Sequence, residues 1–204
     1  MADLYPSWLG VWAGLKAGGD ARKPFDYLRQ RYSEPWRKYH TLQHVSERIA
    51  RFDKVRHLAQ VPAEVEAALW FHDAVYELRA HDNEDQSADL ARSIFAAAGV
   101  DTAAIARIVG MILATKHTAQ PADDDARLLV DIDLSILGAP APRFAEYERQ
   151  IREEYAFVPE ALFVEKRREN LRSFVARPSI FSTSHFVGLL EQTARGNLAR
   201  AINA

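Results

Sequence analysis

The chain has 204 residues, 48% of them hydrophobic, and carries 26 lysines and arginines against 28 aspartates and glutamates for a net charge of −2. That is enough apolar material for one domain with a sizeable core, and the near-neutral balance excludes a basic nucleic-acid footprint over the chain as a whole. There is no cysteine, so disulfides, thiolate metal sites and thiol catalysis are excluded, and any metal must be held by His, Asp or Glu with water.

The first residues lack the basic flank and long apolar run of a secretory signal, and no stretch approaches the ~18 apolar residues of a membrane span. A cytoplasmic protein with no membrane partner is the expectation. Residues 6–17, with Trp8 and Trp12 as core, predict a first helix that stops at Gly18-Gly19. A short helix follows from Pro24 to about Tyr32. Thr41 reads as the N-cap of a long helix to about Ala59, with Leu42, Val45, Ile49 and Phe52 inward. Pro62 suits the first turn of the next helix, whose apolar run from Val65 to Tyr76 contains His72 and Asp73.

Further along, Asp82 or Asn83 starts a helix that ends at Ala98 before Gly99. Asp101 opens another that reaches Lys116 and His117. Asp125 to Leu137 forms a helix carrying Asp131 and Asp133, and three more cover roughly 142–156, 159–176 and 184–201. Hairpin signals are absent. The expected fold is all-α, a helical bundle of eight to ten helices in a single domain over 1–204. Within it a metal-site core is expected over about 36–140, with the helices of 141–204 packing on it.

A histidine and a carboxylate inside an apolar run cost several kcal/mol to bury unless compensated, and a divalent cation compensates them best. At about 100° per residue, His72 shares the inward stripe of Val65, Ala68 and Leu69, while Asp73 lies at its border. The same construction turns Asp133 toward the apolar side of its helix. Asp131 falls on the far side, as a residue behind the ligands, one facing solvent, or a cap. His44 comes out near the first turn of its helix, at the rim of a cleft. The runs Asp123-Asp124-Asp125 and Glu165-Lys166-Arg167-Arg168-Glu169 read as a solvated helix start and a solvated face. His40 and His44 lack the glutamate that a zinc-peptidase motif needs after its first histidine; Thr41 stands there instead.

Four blocks occur in order: Arg37-Lys38-Tyr39-His40-Thr41-Leu42-Gln43-His44-Val45, Trp70-Phe71-His72-Asp73-Ala74-Val75-Tyr76, Asn83-Glu84 with Ser87-Ala88, and Asp131-Ile132-Asp133-Leu134-Ser135-Ile136-Leu137-Gly138. Together they resemble the H…HD…D signature of the HD-domain phosphohydrolase superfamily, and most closely a subgroup of bacterial predicted HD-superfamily metal-dependent hydrolases. The resemblance implies one divalent metal cation (Mn, Mg, Fe, Co, Ni or Zn) in a helical cleft. Its ligands would be His44, His72, Asp73 and a later aspartate, Asp133 or Asp131.

It also implies a small phosphorylated substrate, nucleotides among the class, hydrolysed by a metal-activated water. Asp73 would bind the metal and orient that water, and Glu77 is a candidate general base or an acid just outside the ligand set. Lys116, His117, Arg37 and Lys38 are candidates for neutralising phosphate charge. His117 reads equally well as a helix C-terminal histidine favoured by the dipole. Nucleic acid is not expected as a partner, and a homo-oligomer is compatible with the sequence. The alternatives are a non-catalytic metal- or nucleotide-binding regulatory protein on the same fold, and a purely structural helical interaction protein.

Overall fold

The computed structural model describes residues 3–203. Ten α-helices follow one another: α1 (Tyr5–Gly14), α2 (Arg22–Arg31), α3 (Leu42–Val55), α4 (Pro62–Phe71), α5 (Asn83–Ala97), α6 (Thr102–Ala114), α7 (Asp124–Leu134), α8 (Ala141–Glu154), α9 (Glu160–Val175) and α10 (Ser184–Asn203). Short 3₁₀ turns, Arg56–Leu58 and Ser135–Gly138, extend α3 and α7. No strand occurs among the described residues, as an all-α chain requires. By internal contacts the chain divides into two compact units, residues 1–132 and 133–204, the division falling within α7.

In the first unit α4 is the hub, packing on α1, α3, α5 and α6. Every residue of α4 from Glu64 to Phe71 is buried. A helix enclosed on all sides belongs at the centre of a core, and its two acids are paired, Glu64 with Arg107 and Glu66 with Arg56. Around it gather Trp8, Trp12, Phe25, Trp70, Phe71 and Phe95, with Trp8 edge-on to Trp70 at 5.6 Å and Phe71 edge-on to Phe95 at 5.2 Å. At the edge of this cluster the Trp8 indole donates to the Ala21 carbonyl and the Tyr32 hydroxyl to the Trp70 carbonyl. α1 lies so close to α4 that a Cβ at Gly14 would sit 2.6 Å from the Ala63 Cβ.

Helix starts follow local chemistry. The Thr41 side chain accepts from the Gln43 N–H, the Asp101 side chain accepts from Ala103 and Ala104, and Pro62 occupies the first turn of α4. Gly99, with φ +72°, ends α5 in the left-handed region. Two expectations about charged runs are overturned. Asp125 is buried, its carboxylate accepting from the Gln60 and Val61 N–H groups at 2.7 and 2.9 Å. It caps the start of α4 across the fold and is not solvated with Asp123 and Asp124. Arg167 likewise leaves its charged run for the interior, over the Tyr147 ring at 5.0 Å and paired to Glu148 at 2.5 Å.

The second unit is built on α10, which packs on α9 and on the 3₁₀ turn at Ser135–Gly138, itself in contact with α8. Fully buried Asn197 donates to the carbonyls of Leu137 and Ala139 at 2.8 and 2.9 Å, which ties that turn to α10. Gly138 permits the approach, since a Cβ there would meet the Leu190 Cβ at 2.7 Å. Glu191 accepts from the Ile180 and Phe181 N–H groups and fixes the α9–α10 loop. Among the described residues no helix is long and apolar enough to cross a membrane.

Candidate metal centre

The helix that carries the His-Asp pair ends earlier than its apolar run suggests. α4 stops at Phe71; His72 is its C-cap, and Asp73 lies in the turn that follows. The expected helix through Tyr76 is therefore corrected, and the helical facing of Asp73, Val75 and Tyr76 does not apply. Partners distant in sequence hold the chain in that exit. Arg37 donates to the carbonyls of Asp73 and Ala74, and the Ser87 hydroxyl accepts from the Val75 N–H at 3.0 Å. The Asn83 side-chain amide brackets the Glu77 backbone, accepting from its N–H and donating to its carbonyl.

Within this turn the side chains of His44, His72 and Asp73 meet. His44 Nε2 lies 2.8 Å from His72 Nε2, and the Asp73 Oδ2 is 3.3 Å from the first and 3.1 Å from the second. Both imidazoles are 1% exposed. His44 is therefore fully buried, and its expected place at a cleft rim is corrected. Asp73 keeps 17% of its side chain in solvent, so the cluster opens on the carboxylate side.

The tautomer of His72 follows from its other nitrogen. Nδ1 lies 2.9 Å from the Leu69 carbonyl, and a carbonyl can only accept, so Nδ1 carries the proton. A neutral His72 ring then presents its lone pair at Nε2. The His44 imidazole is pushed down to about 4, first by burial and then by the charges of Arg48 and His72, against an opposing hydrogen bond to Asp73. Burial alone would raise the Asp73 carboxyl. The charges that His72 and His40 carry when protonated, and the hydrogen bonds that His44 and protonated His72 donate, outweigh it, and the group stays well below the usual carboxylate range. Neutral His44 and ionised Asp73 are the forms that ligate a divalent cation.

The donor set fits such a cation in spacing as well as in chemistry. Bonds of about 2.1 Å meeting at about 90–110° place neighbouring ligand atoms roughly 3.0–3.4 Å apart, close to the three separations found here. Two imidazoles and a carboxylate suit Mn, Fe, Co, Ni or Zn better than Mg. Rings line the approach: Tyr39 stands edge-on to His44 at 4.9 Å, and His40 stacks on Tyr76 at 3.9 Å.

Asp131 is fully buried, so its solvent-facing alternative is overturned, while Asp133 is half-buried in the last turn of α7. Arg48, which sequence reasoning did not single out, reaches from α3 to the carbonyl of Ile132 at 2.9 Å, directly between the two aspartates. Glu77 is more than half exposed, with Arg31 3.7 Å away. Lys116 is held by both carboxylate oxygens of Asp85 at 2.7 Å. Arg37 is fully enclosed by the protein's own acceptors, so neither it nor Lys116 presents an unengaged charge to a phosphate. His117 is half-buried just beyond α6, with φ +55°. For a histidine that left-handed conformation costs about 1–3 kcal/mol and is tolerated only where surroundings enforce it.

No family model, no curated protein and no solved structure matches this chain.

Proposed function

We propose that the protein is a metal-dependent phosphohydrolase acting on a small phosphate ester, nucleotides among the class. One observation carries the proposal: two buried imidazole nitrogens and an ionised carboxylate oxygen converge within 3.3 Å of one another. The order His44, His72-Asp73, then the α7 aspartates, with its resemblance to the HD-domain superfamily, supports hydrolysis over simple storage of a cation. The ligands are His44, His72 and Asp73, with the fourth drawn from Asp133 or Asp131. When bound, the cation supplies a lowered water pKa and polarises a phosphoryl oxygen.

The residues of the chain would do the rest. Asp73, the most exposed of the three, would hold the cation and orient the entering water. His72 is locked through Leu69 in the tautomer that leaves Nε2 unprotonated. Tyr39, His40 and Tyr76 wall the approach and keep bulk water from the imidazoles. Phosphate release from a panel of nucleotides and sugar phosphates, with each divalent metal in turn, tests the proposal. Activity is expected with at least one pairing and is lost in His72→Ala and Asp73→Ala; undiminished activity in both variants overturns it.

The engagement of Lys116 by Asp85 and of Arg37 by backbone carbonyls favours a second reading, a non-catalytic metal-binding regulator, because two of the four expected phosphate-neutralising groups are occupied. That reading predicts stoichiometric metal with no turnover of any ester in the panel.

A further inference from the structure

Arg37 lies in the loop between α2 and α3, and its side chain is 0% exposed. A buried guanidinium is costly unless nearly every N–H finds an acceptor. Here Nε donates to Glu34 Oε2 at 2.9 Å, Nη1 to the Asp73 carbonyl at 2.6 Å and the His40 carbonyl at 3.2 Å, and Nη2 to the Ala74 carbonyl at 3.0 Å. The rings of Tyr32 and Tyr76 flank the group at 5.2 and 5.7 Å. Glu34 holds a second arginine through its other oxygen, Arg31 at 2.7 Å, and Arg31 also donates to the Ala74 carbonyl.

The identity of those carbonyls matters more than their number. His40 directly precedes Thr41, the N-cap of the helix on which His44 stands. Asp73 and Ala74 form the turn that presents the carboxylate and follows His72. One planar, rigid group therefore bonds the backbone of both segments that deliver the three converging side chains. The carbonyls it takes beyond the end of α4 also lie where the helix dipole favours positive charge.

We propose that Arg37 is a positioning residue that sets the His44–His72–Asp73 spacing, and through it the affinity and selectivity for the cation, without touching substrate. The inference rests on the metal reading above. Lysine keeps the charge but not the planar fork, so it cannot reach carbonyls on both segments at once. Groups that orient metal ligands from behind typically contribute about 10–100-fold in affinity.

The test is a Co²⁺ titration of metal-free protein followed by visible absorption, run on wild type, Arg37→Lys, Glu34→Gln and a control, Arg107→Lys. Arg107 also ties α4 to a neighbouring helix, through Glu64 at 2.6 and 2.7 Å, so its loss reports destabilisation alone. Arg37→Lys is expected to bind Co²⁺ at least about tenfold more weakly, with a shifted absorption band, and Glu34→Gln to weaken binding by a smaller factor. The control is expected to match wild type in both readouts. Wild-type affinity and spectrum in Arg37→Lys overturn the proposal, as does an equal loss in the control.

If the wild type takes up no Co²⁺, the metal reading fails. The positioning role is then judged by the side-chain ¹⁵N spectra of His44 and His72: displaced resonances in Arg37→Lys support it, unchanged ones overturn it. Should Arg37→Lys fail to fold, Glu34→Gln carries the same comparison with the same two outcomes.

Discussion

His44 Nε2 and His72 Nε2 lie 2.8 Å apart although 28 residues separate them in sequence, one at the start of α3 and the other at the end of α4. Two buried imidazoles at that distance are stable in two ways: sharing a proton, or sharing a cation. Asp73, ionised and in reach of both, can accept from the first arrangement or complete the donor set of the second.

The pair makes the metal-free protein sensitive to acid. The folded pKa of His44, about 4, lies below the ordinary histidine value of 6.5. The unfolded chain therefore binds the extra proton first, and stability is complete above about pH 6.5 and is lost as pH falls toward 4. The loss is on the order of 2–3 kcal/mol. Asp73 acts in the same direction at lower pH, since its depressed pKa contributes stability that disappears as the carboxylate is protonated. Urea unfolding of chelator-treated protein between pH 4 and 7 should show the slope, and His44→Gln should flatten it. An unchanged slope in that variant would place the acid sensitivity elsewhere.

Asp125 should behave as a structural carboxylate and Asp124 as a surface one. Asp125→Ala removes the acceptor for two N–H groups at the start of α4 and should cost about 1–2 kcal/mol. Asp124 is 65% exposed, and its alanine variant should stay within about 0.5 kcal/mol of wild type. Equal thermal shifts in the two variants would contradict the cap.

Gly138→Ala should destabilise by about 1–3 kcal/mol, because the new methyl would lie 2.7 Å from the Leu190 Cβ and 3.1 Å from its carbonyl oxygen. Gly188→Ala is the comparison, since nothing lies within 4 Å of a Cβ there; an alanine in that helix should be neutral or stabilising. Chemical denaturation of both variants checks the contrast.

Lys116→Met should leave turnover within a few-fold of wild type. Its ammonium is already spent on Asp85, one-third exposed at the end of α6, and such pairs contribute about 0–1 kcal/mol. A fall in kcat/KM comparable to that of Asp73→Ala would instead return Lys116 to the site.

What could be read from the sequence was what local chemistry decides. Thr41, Asp101 and Pro62 mark helix starts because their partners lie within the next few residues, and Gly99 marks a stop because of its own φ. His72 and Asp73 were legible because a histidine and a carboxylate interrupt an apolar stretch, and His44 from its place in the ordered blocks, although its burial was not.

The failures share a cause, partners remote in the chain. The Phe71 stop depends on Arg37 and Ser87, the burial of Asp125 on the start of α4, and the burial of Arg167 on Tyr147 and Glu148. α4 is also buried on every face, so no wheel projection could tell which of its faces ends at a site. Arg37 was misread for the same reason: a basic residue before a histidine suggests a phosphate contact until its carbonyl partners are known.

Elemental analysis of purified protein reloaded with Mn²⁺ or Co²⁺ and desalted tests the central claim most directly. Close to one equivalent of metal is expected in the wild type and almost none in His72→Ala and in Asp73→Ala, with far-UV circular dichroism unchanged. A wild type that retains no metal, or variants that retain as much as wild type, would reduce the cluster to a hydrogen-bonded histidine pair.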